Sequence, residues 1–148
     1  MDHDPHTILA PQRAYAMRLV VPAATELVRP VRLAVGGLAS VGDFTIETVE
    51  ELQLAANELL VVLMTVAGSA ELELELQLDE FGAFRMDATA RQPTGTVDLD
   101  VISVSERILS VMADEYRLEI GDGIVAGGFM RHPDTWSDED ADHLDPLD

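Results

Sequence analysis

The sequence predicts an α+β fold, a two-layer sandwich in which a mixed, mostly antiparallel sheet is covered on one face by three helices. Three observations carry this prediction. Residues 50–67, EELQLAANELLVVLMTVA, place Leu52, Ala55, Ala56, Leu59, Val62, Leu63 and Val66 at steps of three and four. That spacing makes one long helix with a wide apolar face. Residues 71–78 alternate strictly, with Leu72, Leu74, Leu76 and Leu78 on one side and Glu71, Glu73, Glu75 and Gln77 on the other. Alternation of this kind is the pattern of a half-buried strand. The third observation is the order of elements: strand, helix, helix, strand, strand, helix, strand, strand.

Taken in order, residues 1–14 are polar and proline-punctuated and are expected to form a flexible N-terminal arm. Residues 17–21 read as a short strand ending at Pro22. Thr25 is placed to cap a helix running to about residue 39, with Val28, Val31, Val35 and Leu38 among its apolar positions. Pro30 is easily accommodated only in a first turn, so the regular helix is expected to begin near Arg29. After the Gly42-Asp43 turn, Thr45 caps the long helix and Gly68-Ser69 ends it. The segment 79–82 turns the alternating strand into a second one over 83–90, in which Phe84, Met86 and Ala88 share a face. A loop containing Pro93 and Gly95 leads to a helix over 98–114, lined by Val101, Ile102, Ser105, Ile108, Leu109 and Met112. Strands at 116–120 and 124–130 flank Gly121-Asp122-Gly123, a strong hairpin signal. The tail, 132–148, has seven acidic residues, no arginine or lysine and two prolines. It is expected to be disordered, and removal of residues 133–148 is expected to leave the fold intact. One domain, 15–131, lies between the two termini.

Composition narrows the function classes. The formal charge of −19 repels nucleic acid and anionic membranes, since no cation cluster is present to displace their counterions. All nine basic residues are arginines, which removes any Schiff-base or phosphate-gripping lysine. With no cysteine, disulfides and thiolate metal sites are excluded. No apolar run approaches the ~18 residues of a membrane span. The acidic first residues lack the features of a secretory signal, and a cytoplasmic location is expected. No metal site is expected; Met1-Asp2-His3 could chelate copper or nickel behind a free amine, but that placement is read as coincidence. The histidines at 132 and 143 lack ligand spacing.

The helix carrying Leu54-Ala55-Ala56-Asn57-Glu58 resembles the N-box helix of the anti-sigma-factor serine kinases, members of the GHKL (Bergerat-fold, HATPase-like) superfamily. In those proteins a segment reading roughly "lxLAvsEaxtNai" supplies a glutamate and, four residues on, an asparagine that holds the magnesium of ATP. The earlier LVVPAATELVRPVRLAVGGLA is similar to the family's opening "vPA..e.v..vR" helix, and the resemblance covers about residues 16–131. It implies Glu58 as the position of a general base acting on an attacking hydroxyl. Val62 stands at the position of the magnesium-binding asparagine, so this chain resembles a degenerate member. The family's Asp-x-Gly pair, which hydrogen-bonds adenine, is expected at the end of the second hairpin strand. Ala88 and Ala90 occupy those places, with Asp87 one residue off and aimed at the opposite face unless a bulge redirects it. Gly95 is the lone glycine between Gly82 and Gly121, too few for a phosphate-cradling nest, and GDGIVAGGFM reads as turn and close-packing glycines.

The resemblance implies an anti-sigma-like regulator that acts by protein–protein binding, with a sigma factor or an anti-anti-sigma protein as partner and a homodimer as its assembly. No cofactor is expected. The alternative is a divergent serine kinase that binds Mg-ATP, with Glu58 as base and Asp87 as the adenine-reading carboxylate.

Overall fold

The computed structural model describes residues 13–91, 93–121 and 123–136. The chain forms β1 (Tyr15–Pro22), a single 3-10 turn (Thr25–Leu27), α1 (Val28–Ala39), α2 (Ile46–Ala67), β2 (Glu71–Leu78), β3 (Phe84–Arg91), α3 (Leu99–Met112), β4 (Glu115–Gly121) and β5 (Ile124–Arg131). The five strands make one sheet in the order β1-β2-β3-β5-β4. The α+β sandwich that the element order predicts is the fold observed, with one refinement. Every pairing is antiparallel, so the sheet is not mixed. The physical reason is the place of β5. The strands β3 and β4 are joined through one helix and run the same way, but β5 hairpins back and inserts between them, which turns a parallel neighbour into two antiparallel ladders.

Alternation decides the two faces of the sheet. Leu72, Leu74, Leu76 and Leu78 of β2 pair in register with Ala90, Ala88, Met86 and Phe84 of β3, and all eight are buried against the helices. The same face continues through Val125, Gly127 and Phe129 of β5 to Tyr116, Leu118 and Ile120 of β4. The opposite face carries charge: Arg18 with Glu75, Arg85 with Asp79, and Arg117 with both Asp87 and Glu119.

The central helix is α2, which packs between α1 and α3. Its predicted apolar residues are all buried, and Leu60 and Met64 join them because α1 covers a second side. Burial of one such leucine contributes about 1.5–3 kcal/mol. The helix comes so close to β5 that a Cβ on Gly127 would lie 2.7 Å from Leu59 Cδ1 and 2.9 Å from Leu118 Cδ2. The close-packing reading of that glycine therefore holds. Gly123, with φ of +78°, supplies the hairpin turn. Arg131 ties three elements together: its Nη1 bridges Glu51 Oε2 of α2 at 2.7 Å and donates to the Met112 carbonyl at the end of α3, also at 2.7 Å.

One helix start differs from the sequence reading. Thr25 makes no capping bond; it opens the 3-10 turn, and α1 begins at Val28 with Leu27 at its N-cap. Pro30 then falls in the first turn, where its missing N–H has no intrahelical partner to lose. Thr45 does cap α2, accepting from Thr48 N at 3.1 Å, and it has help from far along the chain. Asp134 Oδ2 accepts from Thr45 N at 2.6 Å, Asp134 Oδ1 accepts from Thr48 Oγ1 at 2.9 Å, and Asp134 N donates to the Asp43 carbonyl at 3.2 Å. Pro133 is buried, and the His132 and Trp136 rings stack with centroids 4.1 Å apart. The packed chain thus reaches Trp136, beyond the residue-131 boundary read from sequence. A deletion from residue 133 would take the Asp134 cap with it. Residues 1–12, including Met1-Asp2-His3, and residues 137–148 lie outside the described residues.

Candidate functional site

The face of α2 that meets α3 holds the residue on which the sequence reading centred. Glu58 is half-buried there, and Ser105 Oγ of α3 donates to Glu58 Oε2 at 3.2 Å. Ser105 is itself buried, so the pair ties the two helices through one polar contact inside an apolar seam. Sequence reasoning did not identify Ser105 as a partner. The available signal was its position among Ile102, Leu109 and Met112 on the inward side of α3. One turn beyond Glu58 lies Val62, 1% exposed. Its side chain carries only carbon and offers no ligand to a cation. Among the described residues, no group of three or more His, Asp or Glu is placed to hold a metal.

Asp87 is not brought to this seam. No bulge interrupts β3, whose residues pair one for one with β2 on one side and β5 on the other. Asp87 therefore lies on the charged face of the sheet, away from the helices, where Arg117 Nη2 donates to its Oδ1 at 3.0 Å. Gly128 sits across from it, and a Cβ there would come within 2.5 Å of that same oxygen. On the helix side the corresponding places belong to Ala88 and Ala90, both fully buried. Glu58 and Asp87 are thus separated by the thickness of the sheet, and the two do not form one site.

The loop between β3 and α3 is where a phosphate cradle would need free N–H groups. Here two of them, those of Thr94 and Gly95, are committed to α2. Thr94 N donates to the Ala67 carbonyl at 3.1 Å and Gly95 N donates to the Val66 carbonyl at 3.0 Å. Both carbonyls belong to the last turn of the helix, which has no later residues to satisfy them. Thr94 Oγ1 accepts from Ser69 N at 2.8 Å and closes the same corner. Gly95 is required for this approach, because a Cβ would strike the carbonyl oxygens of Thr65 and Val66. The N-terminus of α3 is occupied too: Asp98 Oδ1 accepts from the N–H groups of Asp100 at 3.0 Å and Val101 at 3.4 Å. A carboxylate already meets the positive end of that helix, with Asp100 adding a second negative charge in the first turn.

Two clefts among the described residues lie elsewhere. One of about 560 Å³ sits beside β4, lined by Arg85, Asp87, Ser110, Tyr116, Arg117 and Met130 among others. Another of about 490 Å³ lies on the charged face between β1, β2 and β3. Neither reaches Glu58 or Val62. The helical layer presents exposed apolar side chains to solvent: Leu33 of α1, Leu54 and Val61 of α2, Val104 and Val111 of α3. On α1 these are accompanied by Arg29 and Arg32, which have no ion-pair partner among the described residues. No helix among the described residues is long and apolar enough to cross a membrane.

No protein-family model matches the chain, and no curated relative matches it. A solved structure to which it is similar is the crystal structure of the RsbU and RsbW domains of Rv1364c from Mycobacterium tuberculosis. The TM-score is 0.61 at 14% sequence identity, and the match covers 80% of this chain. It spans about a third, 32%, of that protein's chain. At this identity the likeness is one of fold.

Proposed function

We propose that this chain is an anti-sigma-factor-like regulatory protein that works by binding another protein, without kinase activity and without a nucleotide cofactor. The observation that carries the reading is the loop before α3, whose Thr94 and Gly95 N–H groups are bonded to α2 carbonyls rather than held open for phosphate. Support also comes from Val62 in the place of the family's magnesium ligand and from buried alanines at the adenine-reading places. The regulatory reading itself rests on the N-box-like helix, the "vPA..e.v..vR"-like start of α1 and a fold shared with a protein that contains an RsbW domain. The partner is a sigma factor or an anti-anti-sigma protein, met by the helical layer. Exposed Leu33, Leu54, Val61, Val104 and Val111 supply apolar contact there, and an acidic protein of charge −19 is drawn to the basic DNA-facing surfaces of a sigma factor.

Two measurements test this. In a thermal-shift titration with Mg-ATP and Mg-ADP, no shift is expected at millimolar nucleotide. A ligand at 100 times its dissociation constant would add about 2.7 kcal/mol, so a saturable rise in Tm would overturn the loss of the nucleotide site and revive a kinase with Glu58 as base. Pairwise binding against the sigma factors and anti-anti-sigma proteins of the source organism is expected to find one partner. Failure of every pair would remove the anti-sigma reading.

A further inference from the structure

Helix α3 carries two apolar stripes, and the domain uses one of them. Ser105 and Leu109 are buried and Met112 packs on the core, so that side closes the fold. Val101, Val104, Ile108 and Val111 recur at steps of three, four and three on the neighbouring side. There Val101, Val104 and Val111 are exposed and Ile108 is half-buried. Such steps are the spacing by which one helix takes another along a seam. All four residues are β-branched, which lowers helix propensity, so a merely solvated surface gains nothing from them.

The second wall belongs to α2. The two helices lie antiparallel and are joined at three heights: Gly95 N on the Val66 carbonyl, Ser105 on Glu58, and Arg131 bridging Glu51 to the Met112 carbonyl. On the solvent side of this seam α2 shows Leu54 and Val61, both exposed, with Glu58 between them. The Glu58–Ser105 contact is the floor between these residues and the outer stripe of α3. Charge on the seam is one-sided. The two helices carry Glu47, Glu50, Glu51, Glu58, Asp100 and Glu106 against a single arginine, Arg107. Among the described residues Glu51 alone of these carboxylates has an ion-pair partner. Glu58 is half-buried beside apolar side chains and is met by one neutral hydroxyl.

We propose that the α2–α3 seam is the docking site for a basic amphipathic helix of another protein, with an apolar stripe at heptad spacing flanked by arginine or lysine. The proposal rests on the reading of this chain as a protein-binding regulator and names the element it binds. The 14 residues of α3 rise about 21 Å, which accommodates a partner helix of about four turns. A cation of that helix placed over Glu58 makes a charge-assisted hydrogen bond in a site from which the apolar walls exclude water. This chain's own segments do not fit. Residues 1–12 and 137–148 contain carboxylates and no arginine. Helix α1 of a second copy has Arg29 and Arg32 but a single large exposed apolar side chain, Leu33, too little to fill the stripe.

The probe is a labelled synthetic helix of about 18 residues, with leucine at heptad positions a and d and arginine at e and g, titrated with the full chain by fluorescence anisotropy. Saturable one-to-one binding that weakens as salt rises is expected. A peptide with glutamate in place of arginine should bind at least about tenfold more weakly. Val61→Glu and Val104→Glu change exposed positions and leave the core intact, yet each should weaken binding about tenfold or more by placing an unpaired charge in the apolar contact. Glu58→Gln keeps the shape of the seam and should flatten the salt dependence. Val20→Glu, exposed on β1, should change nothing. The proposal is overturned by the absence of saturable binding, by equal binding of the two peptides, by seam variants that bind like the wild type, or by an equal loss at Val20→Glu. A sigma factor or anti-anti-sigma protein that binds Val104→Glu undiminished and sits beside a saturating peptide would also overturn it, while leaving the regulatory reading in place. Peptide binding without any such protein partner would support the seam and remove the anti-sigma reading.

Discussion

Replacing Gly95 by alanine tests the part of the structure on which the functional reading depends. The glycine lies beneath the end of α2, and its φ is not in the left-handed region, so alanine meets no backbone strain there. What it meets is the helix, with the carbonyl oxygen of Val66 at 2.8 Å from the new carbon and that of Thr65 closer still. Those atoms are backbone and cannot rotate away, so the loop must lift. Lifting it breaks the bonds from Thr94 N to Ala67 and from Gly95 N to Val66. Two such bonds contribute about 0.5–1.5 kcal/mol each, which gives about 1–3 kcal/mol. The lower entropy of an unfolded chain with alanine returns about 0.4–1 kcal/mol. The net expectation is destabilisation by about 1–2 kcal/mol. Urea denaturation followed by circular dichroism reads this as a lower midpoint at unchanged slope. Gly37→Ala in α1 is the companion: nothing lies within 4 Å of its Cβ position, and removing a mid-helix glycine should stabilise by about 0.5–1 kcal/mol. If Gly95→Ala costs less than about 0.5 kcal/mol, the loop is not held on α2, and its Thr94 and Gly95 N–H groups are free to meet a phosphate.

Asp134→Ala removes a carboxylate that caps α2 from 89 residues away and should cost about 1–2 kcal/mol in the same assay. Deletion of residues 133–148 should cost at least as much, and a neutral deletion would show that the Asp134 contact carries no stability. Leu59→Ala empties a fully buried position against Gly127 and should cost about 3–5 kcal/mol, while a loss below about 2 kcal/mol would mean that the seam between α2 and β5 collapses to fill the space. Val62→Asn restores the resembling family's amide but buries it where Val62 is 1% exposed. It should lower stability by about 1–3 kcal/mol and confer no thermal response to Mg-ATP; a response would show that the remaining pocket is intact.

The candidate site was legible in part. Val62, Ala88 and Ala90 could be judged from identity and position alone, since neither a buried valine nor an alanine can supply a ligand or an acceptor. Asp87 was also settled by local rules, because the strict alternation of β3 sends neighbouring residues to opposite faces. Its partner Arg117 lies 30 residues away across the intervening strand β5, and only the sheet order brings the two together. The contact between Glu58 and Ser105 spans 47 residues and exists only because α3 packs on α2.

By itself the sequence determined the elements and their faces. Helical and strand periodicities act over a few residues, so the apolar side of α2 and the leucine side of β2 needed no tertiary information. The turn at Gly123 and the cap at Thr45 are equally local. Tertiary structure alone decided the insertion of β5 between β3 and β4, which made the sheet wholly antiparallel. It decided as well that the start of α2 is capped by Asp134 and its end by Thr94 and Gly95. Those choices join groups far apart in the chain, whose pairing costs loop-closure entropy and is favoured only once the core has formed. Hence a loop that reads as a poor phosphate cradle became, in the folded protein, the cap of the central helix.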